Sequence, residues 1–440
     1  MKFRGLLVAV AVLAILGGVL YWSGHHKPHV SRSEAEATPT IIRVNPTAIT
    51  SMTVKLRGAP AVQLEKKSED DWQITAPIHT AASSDTVTSM LLSLVPLNAQ
   101  RVVVDHATDL AQFGLTDPTV ELDMVSRNNK KQELLLGDDT PTGDAVYAAV
   151  PGDPRVFLAP TYIKSSVGKS LNDLRDKRLV PMLAPKVTSI DLERKGQNLS
   201  FGRVQNGWQM EKPQPYRTDT YEVGDLVQQV TSAQFDPTVS EKDAAQGFAK
   251  GTPVATVNLS GNGQTDTLEV RKNQADYYAT SSAMKGTWKV DPTNAEALDE
   301  ALTRGLDGYR NKQLLDFGYA DPEKIEYHGG GISLYLSRTG NVWWSDGKKM
   351  DADSVESLVT ALRGLAATTF VDTGFTNPQI EVTVTSGQGK TVEKLAIQKT
   401  SNGGLAKRDD GPSIYSLDSV TLNSLTSAAS GIKPAAPKKK

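Results

Sequence analysis

DWQIT at residues 71–75 returns as GWQME at residues 207–211 and, more loosely, as VWWSD at residues 342–346. The tryptophans Trp72, Trp208 and Trp344 are therefore separated by 136 residues each time. A stretch that recurs at a fixed interval is the sequence signature of a repeated structural unit. The spacing predicts one fold unit written three times, with these tryptophans as its markers.

The third copy allows a second alignment. A short apolar segment begins eighteen residues before Trp72 and eighteen before Trp208, and Ile325 lies eighteen residues before Trp343. Trp343 is therefore the alternative marker of the third copy.

The segments after each tryptophan repeat as well. A helical run follows at 84–97, at 220–230 and from 353 onward, and a turn with Gly114 and Pro118 returns with Gly374 and Pro378. Segments 120–124, 254–259 and 380–384 then alternate between apolar and polar residues, which indicates strands with one buried face. We predict an α+β fold of three tandem repeats. Each has a small, mostly antiparallel sheet, a helix after the tryptophan strand and another helix near its end.

The length and composition agree with three packed domains. A chain of 440 residues predicts about three domains, which we place at 41–181, 182–318 and 319–432. A net charge of −2 offers no basic surface for nucleic acid. The absence of cysteine excludes disulfides, thiol catalysis, cysteine-ligated zinc and lipoprotein anchoring.

The first residues predict a membrane anchor. Lys2 and Arg4 precede an apolar stretch that ends at residue 22 and is long enough to span a bilayer as a helix. We assign 1–22 to an uncleaved transmembrane signal anchor and 23–40 to a flexible stalk. The rest of the chain would then lie outside the cytoplasm, on a single-pass protein of the bacterial inner membrane. A cleaved signal peptide is the alternative. Residues 433–440, rich in lysine, are predicted to be disordered.

Candidate chemistry is sparse. His25, His26 and His29 could bind a metal, but they lie in the predicted stalk without the oriented partners that ligating histidines need. The GKS at 168–170 resembles a phosphate loop, yet Ile163 stands where that loop needs glycine. No G-x-S-x-G elbow occurs. We predict no catalytic residues, no cofactor, no metal and no nucleotide.

Two adjacent tryptophans are the candidate ligand or partner surface. Neighbouring residues of a strand face opposite sides of a sheet, so one of Trp343 and Trp344 can be exposed. Flat aromatic faces suit sugars or peptides, although a tryptophan that recurs in every copy is also typical of a core.

The motifs resemble a known family. The tryptophan strand followed by a proline, DLAQFGLTDP at 109–118, LG at 136–137 and Tyr147 are similar to the domain of unknown function 4340, most closely over 50–181. Its members are typically anchored extracytoplasmic proteins, many encoded beside ABC-type export systems like those of gliding motility. The resemblance supplies no catalytic residues.

The residues, together with what the family resemblance implies, lead to three functional hypotheses, the last of which is a hydrolase with dispersed carboxylates. The first is a non-catalytic, membrane-anchored scaffold or substrate-handling subunit of an ABC-type envelope transport system, with transporter subunits as partners. The alternative is an envelope glycan or peptide-binding module.

Overall fold

The structure is a computed structural model that describes residues 38–69 and 71–437. The predicted anchor at 1–22 and residues 23–37 of the predicted stalk lie outside the described residues, while Thr40, the last stalk residue, begins the first strand. Within the described part of the chain, no helix has the length and apolarity needed to cross a membrane. The chain divides into two compact units, Met1–Asp176 and Lys177–Lys440. Repeat 1 lies in unit 1 except for residues 177–181, which belong to unit 2 together with repeats 2 and 3.

Repeat 1 folds as an antiparallel sheet with the strand order β5-β4-β3-β2-β8-β9-β10-β11-β7, beside a separate small pair of β1 and β6. Its elements are β1 (Thr40–Ile42), β2 (Ile49–Leu56), β3 (Val62–Ser68), β4 (Asp71–Ala76), β5 (Thr80–Ala81), α1 (Ser84–Leu92), β6 (Leu97–Asn98), β7 (Arg101–Val104), β8 (Val120–Ser126), β9 (Lys131–Asp139), β10 (Ala145–Ala149), β11 (Val156–Pro160), α2 (Tyr162–Val167) and α3 (Leu171–Leu174).

Repeat 2 has the strand order β14-β13-β12-β15-β16-β17-β18. Its elements are β12 (Ser189–Arg194), β13 (Gln197–Val204), β14 (Gly207–Lys212), α4 (Thr220–Ser232), α5 (Glu241–Lys250), β15 (Thr252–Gly261), β16 (Gln264–Asn273), β17 (Asp276–Ser281), β18 (Met284–Lys289) and α6 (Pro292–Thr303).

Repeat 3 has the strand order β22-β21-β20-β19-β24-β25-β26-β27-β23. Its elements are β19 (Lys324–Gly329), β20 (Ile332–Thr339), β21 (Val342–Ser345), β22 (Lys348–Lys349), α7 (Ala352–Arg363), β23 (Thr369–Val371), β24 (Ile380–Ser386), β25 (Thr391–Thr400), β26 (Gly403–Arg408), β27 (Ile414–Asp418) and α8 (Ser419–Ser430).

The three sheets share one seven-strand arrangement. In each, a three-strand meander is followed by a helix, and the fourth strand then pairs with the first strand of the meander. The α+β class, the antiparallel pairing and the tandem repetition predicted from the sequence are therefore confirmed. The alternation of apolar residues explains the packing, because one face of β8 buries Val120, Leu122 and Met124.

The helices lie where local signals place them. The side chain of Ser83 accepts a hydrogen bond from the backbone N–H of Thr86 at the start of α1, and Asp219 and Asp351 cap α4 and α7 in the same way. The sequence predicts that the first helical run continues to residue 97, but α1 ends at Leu92. Pro96 has no backbone N–H and disfavours helical geometry in the residue before it, so the helix stops short of it.

In each repeat a short stretch of backbone, which we call the exit slot, binds an extended segment from later in the chain. The slot is the backbone just before the first long helix, at residues 81–83, 217–219 and 349–351. In all three repeats the bound segment pairs with the slot through two backbone hydrogen bonds of 2.7–2.9 Å. The bridged residue pairs are Ala82 with Arg175, Thr218 with Arg310, and Met350 with Pro434. In repeats 1 and 2 the segments bound to the slot, at 174–176 and 309–311, continue as the linker to the next repeat.

The C-terminal residues fill the exit slot of repeat 3. Asp351 N–H donates to the carbonyl of Lys433, and Ala435 N–H donates to the carbonyl of Lys349, both at 2.9 Å. The sequence predicts disorder from residue 433, but these residues are hydrogen-bonded because the slot supplies the backbone partners that composition does not reveal.

Truncation after Ile432 is expected to lower the free energy of unfolding of unit 2 by about 1–3 kcal/mol, because two backbone hydrogen bonds are lost at about 0.5–1.5 kcal/mol each. Truncation after Pro437 keeps both bonds and is the matched control. Urea denaturation of the two truncated proteins measures the difference. Equal midpoints would show that the bridge at Pro434 contributes nothing.

Repeats 2 and 3 are joined by arginines at the linker between them. The Arg310 guanidinium lies 4.0 Å from the ring centre of Tyr216 and 3.6 Å from that of Phe370, and donates to Ser413 Oγ at 2.9 Å. Arg217 pairs with Asp316. These contacts explain why repeats 2 and 3 form one compact unit.

A buried ion pair seats the same linker in repeat 3. The Arg408 side chain donates to the Leu314 carbonyl and to Glu393 at 2.8 Å, and Glu393 accepts from the backbone N–H of Asp316 at 2.8 Å. Arg408 also makes a two-point contact with Asp410, at 2.8 and 2.6 Å.

Candidate functional site

The marker tryptophans occupy equivalent positions on the third strand of each meander. Trp72 and Trp208 are buried, with 3% and 6% of their surface exposed. Trp72 lies across from Lys66 and Trp208 from Arg203, and both basic side chains lie over the indole rings, at 5.9 and 4.6 Å.

In repeat 3 the register gives this position to Trp343. It lies across from Arg338 and is 8% exposed, whereas Trp344 pairs with Ser337 and is 39% exposed. The Trp343 carbonyl also accepts the N–H of Met350 just before α7, as the Trp72 carbonyl accepts an N–H just before α1. The interval from Trp208 to Trp343 is one residue shorter than the interval from Trp72 to Trp208, so the equal spacing ends at Trp344.

The glycine and proline markers belong to turns that precede the fourth strand of the sheet. Gly114 adopts φ +67, which favours glycine, and Arg57 donates to its carbonyl at 3.3 Å. Gly374 adopts φ +103, and the Gln398 side chain donates to its carbonyl at 3.1 Å. Pro118 and Pro378 follow in these turns, each two residues before its strand. The markers thus shape the turns that lead into the fourth strand in repeats 1 and 3.

We define the outer face as the side of each sheet turned away from the helix that follows the meander. When the repeats are aligned by their strand registers, three positions of the outer face are equivalent in all three repeats. These positions hold Glu121, Asp123 and Glu133 in repeat 1, Thr256, Asn258 and Thr267 in repeat 2, and Glu381, Thr383 and Lys394 in repeat 3. The shared fold therefore presents three different chemistries at one location.

The three positions form an acidic cluster in repeat 1. One carboxylate oxygen from each residue lies within 4.8 Å of the others, and Lys55 pairs with Glu121 at 3.0 Å. Burial, followed by the charge of Glu121, raises the pKa of Asp123, and burial with Asp123 raises the pKa of Glu133. Carboxylates of this kind can bind a hard cation, although the Lys55 ammonium already offsets part of the charge.

Asp123→Asn is expected to raise the melting temperature at pH 7. The pKa of Asp123 is higher in the folded protein than its ordinary value, so the folded protein binds the proton more tightly than the unfolded chain does. The protein therefore loses stability as the pH rises from the ordinary pKa to the folded-state pKa. The gain should disappear near about pH 3, where Asp123 is protonated in both states. Thermal melts at both pH values test this, with the exposed Glu69→Gln as control. A gain of equal size at both pH values would contradict it.

Repeats 1 and 2 cover the adjoining part of the outer face with their own chain. In repeat 1, Phe113 is buried against Tyr147, with ring centres 5.0 Å apart. In repeat 2, α5 packs closely on β17 at Gly247. A Cβ at this position would lie only 2.2 Å from the ring of Tyr278.

Repeat 3 leaves the corresponding region open. A cavity of about 640 Å³ lies over β24, β25 and β26. Residues 372–379 form no helix here. They carry Phe375, which lines one wall, while Gly411 and Pro412 line the other and Ala396 is part of the floor.

One family model, Domain of unknown function (DUF4340), matches residues 72–250 and 208–376. The two matches together cover more than half of the chain. The protein belongs to the DUF4340 family. The resemblance read from the sequence is thereby confirmed. No curated protein is significantly similar to the chain.

The two DUF4340 matches carry the repeat register themselves. They begin at Trp72 and Trp208, 136 residues apart, and each continues into the following repeat. The family model therefore matches the chain twice, and the second match is shifted by one repeat.

Sequence reasoning missed two features of this DUF4340 chain. The acidic cluster could have been found, because alternation places Glu121 and Asp123 on one face of β8 and the next strand brings Glu133 beside them. The cavity in repeat 3 had no comparable signal, since it depends on how residues 372–379 fold.

The histidines form no catalytic grouping within the described chain. His79 and His106 are exposed, and His328 contacts Ser333 at 3.3 Å and the edge of Tyr335. His25, His26 and His29 lie outside the described residues.

Proposed function

We propose that this DUF4340 protein is a membrane-anchored, extracytoplasmic and non-catalytic scaffold or substrate-handling subunit of an ABC-type envelope transport system. The observation that carries the proposal is the set of three sheets with one strand order and three different outer faces. At the three shared positions, repeat 1 is acidic and repeat 2 is polar and uncharged, while repeat 3 holds a cavity. A protein that brings unlike components together needs several rigid surfaces of unlike chemistry, and tandem repeats supply them.

The membrane and transporter parts of the proposal rest on the sequence. Lys2 and Arg4 before the apolar stretch to residue 22 favour an anchor in the bacterial inner membrane, and the family resemblance suggests the transporter.

Crosslinking in the native host, followed by purification of the anchored chain from membranes, tests this function. The expected result is recovery of ABC-type transporter subunits, which is weakened when Glu121, Asp123 and Glu133 are replaced together by glutamine. Replacement of the exposed Glu69 and Glu356 by glutamine is the matched control. Recovery of the chain in the soluble fraction, or turnover of envelope polymers by the purified protein, would contradict the proposal.

A second candidate function is envelope glycan or peptide binding. It is favoured by two exposed aromatic side chains on the outer face of repeat 3, because Trp344 and Tyr335 are 39% and 54% exposed. Tyr335 lies two residues from Ser337, the cross-strand partner of Trp344, so the two rings are diagonal neighbours. Glycan-array binding that is unchanged in Trp344→Ala and Tyr335→Ala would exclude this surface.

A further inference from the structure

The cavity of repeat 3 has opposite charges on two sides of a small residue. Ala396 on β25 lies directly across from Glu381 on β24 and from Lys407 on β26. Neighbouring strands are about 4.8 Å apart, so the backbones of Glu381 and Lys407 are separated by about 10 Å. The Ala396 methyl group leaves the space between the two charged side chains unfilled.

The next row of the cavity floor also carries both charges, here on adjacent residues. Thr383, Lys394 and Asp409 lie side by side at the same edge of the cavity. Within the described chain, none of the four charged side chains, which belong to Glu381, Lys394, Lys407 and Asp409, forms an ion pair. The cavity thus offers two cations and two anions without partners of their own.

Both walls of the cavity are fixed by buried or half-buried side chains. Gln398 accepts hydrogen bonds from the N–H groups of Thr376 and Asn377, at 2.6 and 3.0 Å, which positions Phe375. On the other side, the two-point contact of Arg408 with Asp410 holds the turn that carries Gly411 and Pro412. A site whose walls are already ordered loses less entropy when it binds a ligand.

We propose that this cavity binds a short peptide through its free ends. The ligand ammonium pairs with Glu381, the ligand carboxylate pairs with Lys407, and the peptide lies over Ala396 against the ring of Phe375. Charge complementarity selects this ligand, because a neutral sugar would leave both charges of the row unpaired and an anion would be repelled by Glu381. The inference rests on the peptide-binding form of the second candidate function and assigns it a site apart from the surface of Trp344 and Tyr335.

Calorimetric titration of the full chain in detergent with trialanine tests the inference. We expect saturable binding with a Kd below about 1 mM. The N-acetylated and the C-amidated tripeptides, which each lack one charge, should bind at least about tenfold more weakly, as the loss of a charged hydrogen bond implies.

Two variants test which residue pairs with each charged end of the peptide. Glu381→Gln should weaken trialanine binding and abolish the penalty for N-acetylation, and Lys407→Gln should do the same for C-amidation. Glu356→Gln on α7 and Lys399→Gln at the end of β25 are the matched controls and should bind like the unmodified chain.

Absence of saturable trialanine binding would overturn the inference, and so would equal binding of the free and blocked peptides. Blocking penalties that persist in Glu381→Gln and Lys407→Gln would place the site elsewhere and overturn it as well. Glycan binding through Trp344 can persist in each of these cases, so the second candidate function is judged separately.

Discussion

Arg408→Ala lowers the free energy of unfolding of unit 2 by about 3–5 kcal/mol in our expectation, because it leaves Glu393 as a buried charge without its partner. Arg408 and Glu393 are 5% and 3% exposed. The substitution also removes the donor to the Leu314 carbonyl and so loosens the linker between repeats 2 and 3. Urea denaturation, followed by a fluorescence signal from unit 2, measures the loss.

Two comparisons separate this effect from a general loss of charge. Lys399→Ala removes an exposed cation from the neighbouring strand and should change stability by less than about 0.5 kcal/mol. Arg408→Met combined with Glu393→Gln removes both buried charges and should recover part of the loss. A loss below about 1 kcal/mol in Arg408→Ala, as is typical of exposed ion pairs, would contradict a structural role for this pair.

Trp343→Ala is expected to cost about 3–5 kcal/mol, as is usual for the truncation of a buried aromatic side chain. Trp208→Ala should cost a similar amount, because the two indole rings occupy the same position in their sheets. Trp344→Ala removes a ring from the outer face and should cost less than about 1 kcal/mol. Denaturation curves of the three variants give the comparison.

The adjacent pair Trp343 and Trp344 is its own matched control, since the substitutions are chemically identical and one residue apart. A larger loss for Trp344→Ala than for Trp343→Ala would contradict the register of β20 with β21.

The periodic features of the sequence predict the fold because each one reports a local physical preference. Alternation predicts the fourth strand of every sheet. In the structure, Ser83, Asp219 and Asp351 cap the helices that follow the meanders. Spacing alone could not choose between Trp343 and Trp344, since the choice depends on which strand face meets the helices.

The site depends on contacts between segments distant in the chain, which is why little of it could be predicted. The cavity forms because Gln398 on β25 holds residues 374–377 in place of a covering helix, across more than twenty positions. Likewise, the order of Lys433 and Ala435 depends on an exit slot more than eighty residues away. Neither segment has a composition that predicts these partners.

A crystal structure of the protein, with the three repeats superimposed on one another, tests the triplication most directly. We expect the seven shared strands to superimpose, with Trp72, Trp208 and Trp343 at one buried position facing Lys66, Arg203 and Arg338. A different strand order in any repeat, or Trp344 in that buried position, would contradict the account.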